Sequence, residues 1–195
     1  MTTYLNDDIY NSWIRLLQDI ELAKNYKMPY TLELGTVAPN PLLDNLLPSL
    51  LFVRLVSLLD EALAYYLDTK DISLPKGYKN DLCNRLRYLG EEGIIRGVEE
   101  LQRVREKRNE IAHQQGLYAI WQELGNALDR IESELQNLNF VGTRPRYESY
   151  AEKSQAREST EPDVDFAFDY CYGIKEAGEK VIEVSWTVNV HRSGE

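Results

Sequence analysis

Cysteine is scarce in this chain. It has only Cys83 and Cys171, far apart in 195 residues. Two distant thiols suggest neither a disulfide framework nor a Cys-based metal site, so a cytoplasmic location is the expectation. Histidine is equally scarce, with His113 and His191 alone. Such a pair does not make a ligand set, and neither a metal nor any other cofactor is expected. Uninterrupted apolar runs are missing too. The longest, Leu46 to Leu67, is broken by Arg54, Asp60 and Glu61, and a spanning helix would not carry three charges near its centre. The N-terminal residues lack a basic region followed by an apolar stretch, so no secretory signal is expected. Positive charge is in deficit, with 22 Lys and Arg against 32 Asp and Glu, a net charge of −10. That argues against broad, non-specific coating of nucleic acid. There is no phosphate-binding Gly loop and no Ser/His/Asp order. The adjacent acids Asp60-Glu61 and Glu91-Glu92 point about 100° apart on a helix, so neither pair makes an acid/base dyad.

Hydrophobic residues make up 43% and charged residues 28%, the balance of a globular chain with one good-sized core or a domain plus an appendage. The expected class is mainly α: an antiparallel bundle of about five helices with a C-terminal β-hairpin extension. The first helix runs roughly from Asp7 to Tyr26, with Ile9, Trp13, Leu16, Leu17 and Ile20 as its apolar stripe. After a loop marked by Gly35, Pro39, Asn40 and Pro41, a second helix extends to about Asp68. Leu42 to Leu47 should form a short turn, with Pro48 in the first helical turn. This helix is apolar on most sides and reads as the core helix. A short third helix, about Lys79 to Leu89, should end at Gly90 as a cap. The fourth runs from about Glu92 to His113, with Gly116 placed to end it. The fifth, about Leu117 to Leu138, carries Leu117, Ile120, Trp121, Leu124, Leu128, Ile131 and Leu135 at helical steps. Short loops favour antiparallel neighbours. Tyr65, Tyr66, Tyr88, Tyr118 and Trp121 read as core or rim aromatics.

The pattern then changes. Residues 141–162 are polar and read as a linker or irregular segment, dividing a bundle over 1–140 from a hairpin over 163–195. Apolar residues alternate at Val164, Phe166, Phe168, Tyr170, Tyr172 and Ile174. After a turn at Lys175 to Lys180 they alternate again at Ile182, Val184, Trp186, Val188 and Val190. This predicts a hairpin with one apolar face, and with His191 on its exposed polar face. A lone hairpin is marginal in water, so the apolar face should cover the bundle or the same hairpin of another subunit. Its edges could also accept a strand from another chain.

Within this acidic chain the basic residues gather at Arg96, Arg103, Arg105, Lys107 and Arg108, with Arg85 and Arg87 upstream. A local basic patch suits a small phosphate-bearing target. At about 100° per residue, Arg108 points into the arc defined by Leu101, Val104, Ile111 and Ala112. Arg103, Glu106, Lys107 and Glu110 take the opposite, solvated side. Arg105, Asn109 and His113 form a polar ridge along the edge of the apolar stripe. A guanidinium on a packed face needs a partner. It is either a carboxylate on another helix, with Asp60 or Glu61 the candidates, or a phosphate in a cleft or subunit interface. Asn109 and His113 are four apart, so the carboxamide can orient the imidazole.

The stretch Arg108-Asn109-Glu110-Ile111-Ala112-His113 resembles the signature of the HEPN superfamily. So do its surroundings over about residues 7 to 138: a core helix, a short helix with Leu86 and Leu89, a Gly90/Gly93 break, the motif helix and a closing helix. The resemblance implies a metal-independent endoribonuclease, as in toxins or antiviral defence effectors. His113 would be the general base on a ribose 2′-OH. Arg108 would hold the phosphate, Asn109 would orient the His and Arg105 would add a phosphate contact. Products would carry 2′,3′-cyclic phosphate and 5′-OH ends. Members typically pair two motifs across a homodimer, and an antitoxin or defence-system partner protein would fit. The alternative is a non-catalytic HEPN module that dimerises or binds a partner. The acidic charge, the added hairpin and Gln115, where some toxin members carry Tyr, point that way.

Overall fold

In the computed structural model, residues 4–26, 41–113, 117–158 and 164–191 are described. Among these residues five helices come first: α1 (Asp7–Lys24), α2 (Pro41–Thr69), α3 (Leu82–Glu91), α4 (Val98–His113) and α5 (Trp121–Asn137). Four strands follow: β1 (Tyr147–Lys153), β2 (Arg157–Glu158), β3 (Val164–Glu176) and β4 (Glu179–His191). The chain divides into two compact units, Met1–Asp19 with Asn40–Arg144, and Ile20–Pro39 with Pro145–Glu195. The division falls inside α1, whose last turn groups with the strands.

In the helical unit α2 contacts α3, α4 and α5. Its Phe52, Leu55, Val56, Leu59, Ala62 and Leu63 are buried, the larger side chains each contributing about 1.5–3 kcal/mol through removal of apolar surface from water. The helix begins at Pro41, not at a turn before Pro48, and Pro48 lies inside it. A proline there leaves the carbonyl four residues earlier without its helical donor. The next residue ties the same turn down: the buried Ser49 hydroxyl donates to the Asn45 carbonyl (2.7 Å) and accepts the Ala119 N–H (2.9 Å). That second bond fixes the segment leading into α5.

The short helix α3 starts later than its pattern suggests. Asp81 caps it, its carboxylate accepting the Asn84 N–H at 2.9 Å. Gly90 is not the cap. It lies within α3, where a Cβ would come 2.2 Å from Val98 Cγ2, so its role is close packing. The terminator is Gly93, at φ +67°. The Ile94 N–H donates to the Leu89 carbonyl (2.9 Å) and the Gly93 N–H to that of Gly90 (3.0 Å), the pairing of a Schellman end. The same pairing ends α2 at Asp71 (φ 53°) and α5 at Asn139 (φ 62°), with L-residues in the left-handed conformation.

Residues 92–97 are turn rather than the first part of α4, which begins at Val98. Gly97, at φ +58°, leaves space that the Arg130 guanidinium fills; a Cβ would come 2.0 Å from it. Arg130 donates to the buried Glu134 carboxylate (2.6 Å), which also accepts the Arg96 N–H (3.1 Å). Helix α5 likewise begins only at Trp121, where Glu123 accepts the Ile120 N–H (3.0 Å) as in half of a capping box. Leu117, Tyr118 and Ile120 are exposed rather than part of the buried stripe.

The second unit is a four-stranded antiparallel sheet, larger than a hairpin, and two of its strands lie where a linker is expected. Strand β3 is central, with β4 on one side and β1 then β2 on the other. The alternation sets the β3–β4 register: Phe168 faces Val188, Tyr170 faces Trp186, Tyr172 faces Val184 and Ile174 faces Ile182. The reversal is the two-residue turn Ala177-Gly178, both at positive φ, a geometry that matches the strand twist. Val181 is the extra residue of a bulge beside it. The last turn of α1 packs here: Tyr172 donates to the Leu22 carbonyl, and Ser149 Oγ donates to the Glu21 carboxylate (3.0 Å).

Candidate functional site

The packing of α4 leaves the signature helix partly open. Leu101 is fully buried, whereas Val104, Arg108 and Ile111 are half-buried and Ala112 is exposed. The apolar arc that holds Arg108 is therefore closed at its N-terminal end and open at the level of the signature. Arg103, Glu106 and Glu110 face solvent as expected. Lys107 instead leans onto α5 and pairs with Glu123 at 3.1 Å.

Arg105, Arg108 and Asn109 line one cleft of about 390 Å³ with Val56 and Asp60 of α2 and residues Asn80 to Cys83. Arg105 is steadied by Gln102 Oε1 (2.8 Å) and Glu106 (3.3 Å). Arg108 Nη1 donates to Asn109 Oδ1 at 3.1 Å, and Arg108 Nε is buried without a hydrogen-bond partner.

The carboxylates expected to neutralise Arg108 do not do so. Asp60 is taken by Arg85, whose Nη1 pairs with its carboxylate and donates to its carbonyl at 3.3 Å. Arg85 Nε and Nη2 donate to the side chain (3.0 Å) and carbonyl (3.3 Å) of Asn80. Asp60 and Asn80 thus form a rigid cleft wall held by a buried guanidinium. Sequence reasoning placed Arg85 in the basic cluster without this role. The available signal was its place on the same face of α3 as Leu82, Leu86 and Leu89, all buried. Gln102 adds a brace, donating to the Cys83 carbonyl at 2.8 Å.

His113 stands apart. It is exposed at the end of α4, does not line the cleft, and has no hydrogen-bond partner among the described residues. The expected Asn109–His113 contact is absent among the described residues; the Asn109 carboxamide oxygen accepts instead from Arg108 one residue away. The geometry brings three of the four candidate residues together and leaves the imidazole at a free rim. Gln115 and Gly116 lie outside the described residues, as do Gly35, Pro39 and Asn40; of His191 only the backbone is described.

Among the described residues no group of three His, Cys, Asp or Glu is arranged to hold a metal ion. No described helix is long and apolar enough to cross a membrane. No family model, curated protein or solved structure matches the chain. What the cleft can do follows from its own chemistry. Two guanidiniums and a carboxamide offer charge-assisted donors to an oxyanion, and among the described residues no carboxylate pairs with Arg108.

Proposed function

We propose that the chain is a metal-independent endoribonuclease of the HEPN type, a toxin or antiviral defence effector that works as a homodimer in an antiparallel helical bundle arrangement. The observation that carries this reading is Arg108, half-buried in an open cleft beside Arg105 and with no carboxylate partner among the described residues. An unneutralised guanidinium is costly unless a ligand completes it, and a phosphodiester does so in the bidentate geometry that arginine favours.

In this reading His113 takes the proton from a ribose 2′-OH, and the 2′-oxygen attacks phosphorus. The bond to the 5′-oxygen breaks, that oxygen gains a proton, and 2′,3′-cyclic phosphate and 5′-OH ends result. Arg108 and Arg105 stabilise the charge on the equatorial oxygens. His113 stands outside its own cleft, so the second copy's motif helix completes the site. Leu50 (58% exposed), Leu117, Tyr118 and Ile120 (52%) support such a pairing surface, since Ser49 binds Ala119 and holds the two segments side by side.

The bond between Asn109 and Arg108 favours a second reading, a non-catalytic module that pairs with itself or with a protein partner such as an antitoxin. The test is cleavage of a defined RNA by the purified chain in EDTA, with end-group analysis. Activity should persist in EDTA and fall by at least about 10²-fold in both Arg108→Ala and His113→Ala, with helicity unchanged. A metal requirement, or undiminished cleavage in both variants, sinks the ribonuclease reading. Intact stability with a loosened dimer in Arg108→Ala, and no cleavage by the wild type, favours the second.

A further inference from the structure

The two edges of the sheet are built differently. The β1/β2 edge is interrupted at residues 154–156 and carries Glu148, Glu152, Lys153, Arg157 and Glu158. Charges and interruptions of this kind keep an edge from pairing with another chain. Strand β4 has charges only toward its turn, at Glu179, Lys180 and Glu183, and no such guard beyond them. Its only strand neighbour among the described residues is β3, and Val184-Ser185-Trp186-Thr187-Val188-Asn189-Val190 contains neither a charge nor a proline.

Exposure across the apolar face follows the same asymmetry. Tyr170 and Ile174 of the central strand are buried, whereas Val184 (55%), Trp186 (37%), Val188 and Val190 are open. Trp186 already stacks on Tyr170, with centroids 5.7 Å apart. Except at Phe166, the uncovered apolar surface lies along the edge, where the side chains of one more strand would sit. A face-to-face partner would instead leave the middle of the sheet uncovered.

We infer that β4 pairs antiparallel with β4 of a second copy, about a two-fold axis at Thr187. The strand is self-complementary in that register. Val184 falls opposite Val190 and Trp186 opposite Val188 on the apolar face, and Glu183 falls opposite His191 rather than another carboxylate. Cross-strand pairs of this type stabilise a sheet, and a slip of one residue would set apolar against polar positions. A single strand pair lies at the small end of specific interfaces, below about 1,200 Å² in total, so the dimer dissociates on dilution. The inference does not rest on the ribonuclease reading, since every residue involved belongs to the sheet.

Two variants of the full chain, in a Cys83→Ser, Cys171→Ser background, test it. Thr187→Cys places two thiols directly opposite, within disulfide reach, whereas Ser185→Cys places them four positions out of register and beyond it. Under mild oxidation Thr187→Cys should form a covalent dimer at least about ten-fold faster than Ser185→Cys. By sedimentation, Thr187→Lys should weaken the wild-type dimer at least about five-fold, because like charges meet on the axis. Arg108→Ala should leave the cross-link unchanged. A wild type that stays monomeric at every concentration overturns the inference, leaving the edge to a different chain. So does a dimer in which Thr187→Cys cross-links no faster than Ser185→Cys.

Discussion

At position 90 there is no room for a methyl group. A Cβ would meet Val98 Cγ2 at 2.2 Å, so Gly90→Ala should destabilise the helical unit by about 1–3 kcal/mol, the usual cost of overpacking. Adding Val98→Ala should recover part of that loss. Urea denaturation of the three variants measures the coupling, and simple additivity would mean that the two sites do not meet. Glu134 sets a comparable dependence through charge. It is buried and accepts from Arg130 and from the Arg96 amide. Glu134→Ala should therefore cost about 3 kcal/mol by leaving the Arg96 N–H without its acceptor and the Arg130 guanidinium, which keeps the Arg96 carbonyl, without a carboxylate, read as a lower denaturation midpoint at unchanged slope. The sequence made the glycines visible as punctuation but not their separate tasks. Gly90 and Gly93 are three residues apart, and only the packing of α3 on α4 decides which one ends the helix. Asp71 and Asn139 end helices without glycine, so a search for glycine caps passes over them.

Tyr172 joins two elements of the sheet unit. It donates to the Leu22 carbonyl at the end of α1. Burial pushes its phenol up to about 12; a hydrogen bond with Ser149 opposes this and the Glu21 carboxylate adds to it. Because the folded-state value is raised, the associated stability is fully present below pH 10 and is lost as pH climbs toward 12. Tyr172→Phe should cost about 1 kcal/mol at neutral pH through the lost hydrogen bond. It should also flatten the alkaline decline of the sheet's denaturation midpoint between those values; an identical decline in the variant would assign it to other groups. Legibility at this scale follows burial. The alternation in β3 and β4 made the hairpin legible because one face holds large apolar side chains, whereas its register and its two-residue turn came only with the structure. Strand β1 reads Tyr-Glu-Ser-Tyr-Ala-Glu-Lys, half-buried or exposed at every position, so its sequence carries no such contrast and resembles a linker. Helix α2 was misread at its start for another reason. Pro48 looks like a first-turn residue, and the compensating bonds of Ser49 reach Ala119, 70 residues away.

For the whole molecule, the five helices among the described residues and the β3–β4 hairpin were legible because long periodic segments declare themselves, whereas β1 and β2 were not. Helical geometry alone set Arg108 in the apolar arc and Arg105, Asn109 and His113 along its edge; the fold brings Arg105, Arg108 and Asn109 to one cleft and leaves His113 outside it. What escaped was the cleft wall. Asp60 looked available to Arg108, and only the fold brings Arg85 against it from α3. The exposed position of His113 escaped for a related reason, since projection onto a helix says nothing about where neighbouring helices stop. The division inside α1 carries a consequence for the order of events during synthesis. The turn of α1 that groups with the strands leaves the ribosome early, yet its partners follow far later: Ser149 lies 124 residues beyond Asn25, and Tyr172 lies 150 beyond Leu22. A chain emerging N-terminus first can gather its helical unit while that turn waits. The sheet unit is then completed only once β1 and β3 have been made and can reach that turn.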